Sequence, residues 1–139
     1  MMGKTYLDLY EVNGLLPSDL RFTENSKIER SLYKTNGNSN IAIVNSKLYP
    51  NNQLWYSVVT DYFKSKNVEL ICFTAALNGI LLIPIDIIKK YNRYSGWKVL
   101  KKGRSYYVRC KIKDGKYILY STDGEDVDVT EFFIKNEAR

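Results

Sequence analysis

The apolar residues of this chain fall in short runs separated by turn-forming residues, and each run predicts an element. Lys4 to Val12 reads as a short strand ending near Asn13-Gly14. Ser18 follows Pro17 and can cap a helix that carries Leu20, Ile28 and Leu32 toward a core and ends near Tyr33. Thr35 to Asn40 is a turn. Ile41–Val44 and Leu54–Val59 are strand-like, with Tyr49-Pro50-Asn51-Asn52 turning the chain between them. Asp61 to Lys66 is a short helical or irregular link.

The clearest core signal comes next. Val68–Ala75 and Ile80–Ile85 flank Leu77-Asn78-Gly79, the pattern of a hairpin of two buried central strands. Pro84 sits near the end of its strand, where a missing donor is tolerated. Asp86 to Tyr91 follows as a short helix or turn. Arg104–Lys113 and Lys116–Ser121 flank Asp114-Gly115, a two-residue hairpin turn. Asp128 or Thr130 can cap a last helical turn holding Phe132, Phe133 and Ile134. The expected fold is α+β. It is a single domain with one curved, mostly antiparallel sheet of roughly five to seven strands and two or three short helices.

A chain of 139 residues can bury a continuous core, and shares of 45% apolar and 26% charged residues argue against wholesale disorder. No repeat, low-complexity stretch or Pro/Ser-rich linker divides it, so one unit over residues 1–139 is expected. The longest apolar run, Gly79 to Ile88, is too short to span a bilayer. The first residues lack the apolar core and cleavage site of a secretory signal. The expected location is cytoplasmic, without a membrane partner. Cys72 and Cys110 lie in apolar runs and read as small core residues rather than a disulfide framework.

The sequence contains no histidine, which removes Ser-His and Cys-His pairs and imidazole metal ligands at once. Two isolated cysteines cannot make a four-ligand zinc site, and no GxxxxGK[ST] or GxGxxG phosphate cradle occurs. No catalytic group, metal or cofactor is expected.

Charge is what separates this chain from an ordinary small domain. Residues 89–116 hold eleven basic side chains against Asp114 alone, within a chain whose net charge is only +6. Side chains alternate along a strand, so Tyr107, Arg109, Lys111 and Lys113 share one face while Tyr106, Val108, Cys110 and Ile112 share the other. The Asp114-Gly115 turn sets Lys113 opposite Lys116, Lys111 opposite Ile118 and Arg109 opposite Tyr120. Like charges directly opposite each other cost stability, so another demand is expected to maintain them. Phosphate neutralisation is that demand, and rings among cations suit base or sugar contacts. Arg104, Tyr107, Arg109, Lys111, Lys113 and Lys116 are the expected phosphate contacts, with Lys98, Lys101 and Lys102 beside them. The competing readings are a solvated lysine-rich face, an acidic protein partner, and pairing with the acidic stretch Asp123 to Glu131.

Trp55, Tyr56 and Trp97 are candidates to line a pocket for an extruded base. Asp123, Glu125, Asp126 and Asp128 lack the ligand order, central glycine and closing glutamate of a calcium loop, and read as a solvated acidic turn. The run Ile41-Ala42-Ile43-Val44-Asn45-Ser46-Lys47, then Trp55–Val58, Val68–Phe73 and Ile80–Ile85, resembles modules of restriction and mobile-element proteins with the PD-(D/E)xK nuclease pattern. The resemblance covers residues 40–92. It implies a strand carrying a lysine, here Lys47, with a metal-binding carboxylate two positions earlier. Asn45 occupies that place, and an amide is a poor ligand for a hard cation. Asp61, Glu69 and Asp86 are scattered along the chain. The resemblance therefore implies a target-recognition relative in a restriction, defence or mobile-element system rather than a nuclease. The expected function is nucleic-acid binding, with DNA as the favoured partner. The alternatives are a metal-dependent or degenerate nuclease and a domain that binds an acidic protein.

Overall fold

A computed structural model describes residues 4–23, 26–29, 31–59, 66–88, 105–120 and 126–137. Helix α1 spans Leu9–Leu15. Eleven strands follow: β1 Lys27–Glu29, β2 Leu32–Lys34, β3 Asn40–Val44, β4 Leu48–Tyr49, β5 Gln53–Val59, β6 Val68–Thr74, β7 Gly79–Pro84, β8 Ser105–Lys113, β9 Lys116–Leu119, β10 Val127–Asp128 and β11 Phe133–Lys135. They form two sheets, ordered β1-β2-β3-β6-β7-β11 and β10-β9-β8-β5-β4. Among the described residues all pairings are antiparallel except β3 with β6. The α+β, mostly antiparallel class is as expected, but the strands divide between two sheets where one was expected.

Burial explains the division. Ala42, Val44, Ile71, Phe73, Leu81 and Ile83 of the first sheet meet Leu54, Tyr56, Val108, Cys110, Tyr117 and Leu119 of the second in one cluster. The other face of the first sheet, with Ile41, Ile43, Cys72 and Ile80, packs against Leu7, Val12, Leu16 and Phe22. The first sheet is therefore buried on both faces, which is why β3, β6 and β7 read as continuous apolar runs. The second sheet is buried on one face only, and its strands alternate. Tyr117 and Phe133, from the two sheets, stack at 4.2 Å and 20°.

Three expected elements differ. Lys4 to Val12 is not a strand, because Asp8 caps a helix there. Asp8 Oδ1 accepts from Glu11 N at 2.9 Å, and Glu11 Oε1 accepts from Asp8 N at 3.2 Å, a reciprocal capping box. Leu7 and Val12, buried in the same cluster on either side of the cap, add a hydrophobic staple. Lys4 also bonds to Glu11, which raises the lysine pKa. The helix expected after Pro17 stops as one 3-10 turn, Ser18–Leu20. The carbonyls of Asp19 and Arg21 accept from Gly37 N and Asn36 N at 2.8 Å each, so no helix continues, and Leu32 enters β2 instead. The final turn, Thr130–Phe132, does form under Asp128, whose Oδ1 accepts from Thr130 N at 2.9 Å. Phe133 and Ile134 then leave it to pair with Leu81 and Ile80 of β7. Gly79 permits that approach, since a Cβ there would lie 2.2 Å from the Ile134 carbonyl oxygen.

Phe73 is fully buried between the sheets, with its ring 4.7 Å from that of Tyr56. Phe73→Ala should destabilise the fold by about 3–5 kcal/mol through the cavity it leaves. A denaturant titration that finds the variant as stable as the parent would contradict this central placement.

Candidate nucleic-acid interface

The chain leaves the first sheet after β3, crosses to the second for β4 and β5, and returns as β6 parallel to β3. A crossing of this kind strips the backbone of its ladder partners. Buried Ser46 and Thr74 supply replacements. Ser46 N donates to Thr74 Oγ1 at 3.1 Å, Ala76 N donates to the Ser46 carbonyl at 3.1 Å, and Ser46 Oγ accepts from Trp55 N at 3.0 Å. Thr74 Oγ1 in turn donates to Asn45 Oδ1 at 3.2 Å. Lys47 and Tyr49 emerge from this corner beside Trp55. Asn51 and Asn52 then turn the chain in the left-handed conformation, which asparagine tolerates.

Register and alternation do the rest. Leu54 and Tyr56 face the core, so Gln53, Trp55 and Ser57 face outward. Val108 and Cys110 face the core, so Arg109 and Lys111 face outward opposite Trp55 and Gln53. Lys113 stands opposite Lys116, and Tyr120 N donates to the Arg109 carbonyl at 3.0 Å. This is the hairpin register expected from the Asp114-Gly115 turn, whose residues both have positive φ.

The outer face is an array of rings and cations. Tyr49 and Trp55 stack at 4.6 Å and 18°. Lys47 Nζ lies 5.0 Å from the Tyr49 ring centre, the Arg109 guanidinium 5.5 Å from that of Trp55, and Lys111 Nζ 5.6 Å from that of Tyr120. Gln53 Oε1 ties the two halves together, accepting from Trp55 Nε1 at 2.9 Å and from Tyr120 Oη at 2.7 Å. Trp55 remains 44% exposed. Neither apolar cluster of the described residues extends onto this face.

Acidic residues border the array. Lys111 Nζ meets Asp126 Oδ2 at 3.1 Å, a pairing that the acidic stretch of the sequence left open. Both partners are well exposed, so the pair adds little stability. The Asp128 carboxyl is held below its usual range by the Thr130 hydroxyl and amide, with the charge of Lys116 adding to them.

Several candidate residues fall elsewhere. Tyr56 is 1% exposed, and its hydroxyl donates to the Thr74 carbonyl at 2.8 Å. It is a core residue on the opposite face from Trp55, so the two do not line one pocket. Trp97, Lys98, Lys101, Lys102 and Arg104 lie outside the described residues, and Tyr107 is placed by its backbone, opposite Ser57. Gln53, Tyr49, Tyr120 and Lys47 join the face without having been singled out as contacts.

The remaining chemistry is limited. Among the described residues no group of three or more His, Cys, Asp or Glu gathers to hold a metal ion. Asn45 and Lys47 are exposed at the corner, and Glu69 is exposed on β6. Burial pushes the Cys110 thiol up to about 12 and that of Cys72 higher still, which keeps both protonated and unreactive at neutral pH. The cleft between α1 and Phe22 offers no charged lining residue, and the Asn13 amide there is bonded to the Phe22 backbone through both its oxygen and its nitrogen. No helix among the described residues is long and apolar enough to cross a membrane.

With this geometry established, comparison with known proteins adds no relative: no family model, curated protein or solved structure matches the chain.

The neighbours Trp55 and Tyr56 should respond to mutation in opposite ways. Tyr56→Phe removes a buried donor and should lower stability by about 1 kcal/mol or somewhat more, with the outer face intact. Trp55→Ala should leave the core packed and cost only contacts of the outer face, its stack on Tyr49 and its bond to Gln53. A Tyr56→Phe variant as stable as the parent in a thermal melt would contradict this assignment of faces.

Proposed function

We propose that the outer face of the second sheet binds nucleic acid. The observation that carries the reading is the placement of Lys47, Arg109, Lys111, Lys113 and Lys116 on one open surface, three of them held against aromatic rings. Rings that restrain a guanidinium or ammonium reduce the side-chain freedom lost on binding, while its donors stay available to phosphate. The directly opposed Lys113 and Lys116 repel each other in the free protein, and a polyanion relieves that repulsion. DNA is the partner proposed. A role in target recognition within a restriction, defence or mobile-element system rests on the resemblance of residues 40–92 alone.

A second reading, an acidic protein partner, has one observation in its favour: Lys111 already pairs with the carboxylate of Asp126. The rings separate the two. A carboxylate partner needs the cations alone, whereas a nucleic acid also uses Tyr49 and Trp55.

Salt titration tests the reading. Affinity should fall with salt at a log–log slope of about 0.7–0.9 per phosphate neutralised. Lys113→Ala combined with Lys116→Ala should flatten that slope by up to about 1.4–1.8 units. The same variant should melt no lower than the parent, since a like-charge pair is removed. An unchanged slope would mean that this part of the face is merely solvated. Asp126→Asn should tighten binding by freeing Lys111.

A further inference from the structure

We infer that the ligand of this face is an unpaired DNA strand that crosses β4, β5 and β8, with bases against Tyr49 and Trp55 and phosphates on Lys47 and Arg109. The inference rests on the nucleic-acid reading and sharpens it. Four observations carry it.

Width is the first. The array runs across four adjacent strands, β4-β5-β8-β9. Three inter-strand spacings make about 14 Å before side chains are added. The major groove of a duplex is about 12 Å wide and admits a helix or a two-stranded ribbon. This face therefore cannot reach base edges in a paired duplex, which would leave its rings without a partner.

The second is the rings themselves. Phosphate alone needs only cations, yet Trp55 is left 44% exposed in a sheet whose other face buries Leu54, Tyr56, Val108, Cys110 and Leu119. Tyr49 and Trp55 stack near-parallel, and unpaired bases offer π-faces to join them. Gln53 fixes Trp55 through its indole N–H and Tyr120 through its hydroxyl, so little ordering remains to be done on binding.

The third is the order of groups. Lys47 lies over Tyr49, Tyr49 stacks on Trp55, and Arg109 lies over Trp55 from the far side of β5. Two stacked rings flanked by a cation at each end suit two neighbouring unpaired bases whose phosphates lie to either side. The path ends toward β10, where Asp126 already occupies Lys111 and repels a further phosphate.

The fourth selects the sugar. Gln53 Oε1 and the Tyr120 hydroxyl, which are polar groups at the centre of the face, are bonded to each other. That oxygen and that hydroxyl are thus engaged with each other rather than turned to a 2′-hydroxyl, the group that distinguishes RNA, and the cations and rings carry the contacts with the strand. DNA therefore needs nothing that this face lacks.

The test is fluorescence anisotropy with the full chain and a labelled deoxythymidine oligonucleotide of about twelve nucleotides, within the span that a single small binding fold covers. A mixed-sequence duplex and a uridine RNA of the same length complete the set, each measured across roughly 50–200 mM salt. The single strand should bind at least about ten-fold tighter than the duplex. Trp55→Ala should weaken the single strand about ten-fold or more while leaving the salt slope intact, because a lost ring carries no charge. Trp55→Phe should restore part of the affinity. A circular dichroism melt establishes that both variants fold, and the wild-type ratio of single strand to duplex decides the question independently of them. Duplex binding as tight as single-strand binding would overturn the inference and leave the nucleic-acid reading standing. RNA binding tighter than DNA would overturn the choice of sugar. Binding of none of the three, even at the lowest salt, would remove the nucleic-acid reading itself.

Discussion

The inner face of the second sheet, burying Leu54, Tyr56, Val108, Cys110 and Leu119 against the first, is the contact on which the outer surface depends. A strand has two faces and a period of two, so each residue committed to the core commits its neighbours to the outside. Tyr56 in the core puts Trp55 outside, and Val108 and Cys110 in the core put Arg109 outside, opposite that indole. A shift of one residue in the pairing of β5 with β8 would send the cations inward and the apolar residues outward. The cost of burying a guanidinium in that core excludes any shift by an odd number of residues.

Packing alone would leave the outer side chains free to wander. Two polar arrangements restrain them. Ser46 and Thr74 satisfy the backbone where the chain changes sheets, which holds β4 against β5 and brings Tyr49 to Trp55. Gln53 accepts from both Trp55 and Tyr120 and so links rings on β5 and at the end of β9. The result is an array in which charge and ring surface are positioned before any ligand arrives. Such order is what the proposed binding face requires.

Local patterns were legible in the sequence and distant pairings were not. The β8–β9 hairpin could be read to the residue, because Asp114-Gly115 dictates the turn and alternation dictates the faces. The buried β6–β7 hairpin was equally plain from its apolar runs. The pairing of β5 with β8 brings together residues 46 to 58 positions apart, and no local signal announces it. The contacts of Trp55 with Arg109 and of Gln53 with Tyr120 were invisible for that reason. The division into two sheets was partly written in the contrast between continuous runs in β6 and alternation in β5. The same alternation argues against grouping Trp55 with Tyr56, since adjacent strand residues face opposite ways. At the N-terminus, Asp8 and Glu11 at capping-box spacing are the helix signal, and they outweigh the strand-like pattern of Lys4 to Val12.

The most direct measurement is a titration of the isotope-labelled chain with a deoxythymidine oligonucleotide, following backbone amide and indole N–H resonances by nuclear magnetic resonance. Binding at the outer face of the second sheet predicts that the Trp55 indole, the Gln53 side-chain amide and the amides around Arg109 and Lys111 shift together and saturate together. The amides of α1 and the buried strands β6 and β7 should stay in place. Shifts centred instead on the cleft between α1 and Phe22, or an unmoved Trp55 indole at saturation, would contradict the account.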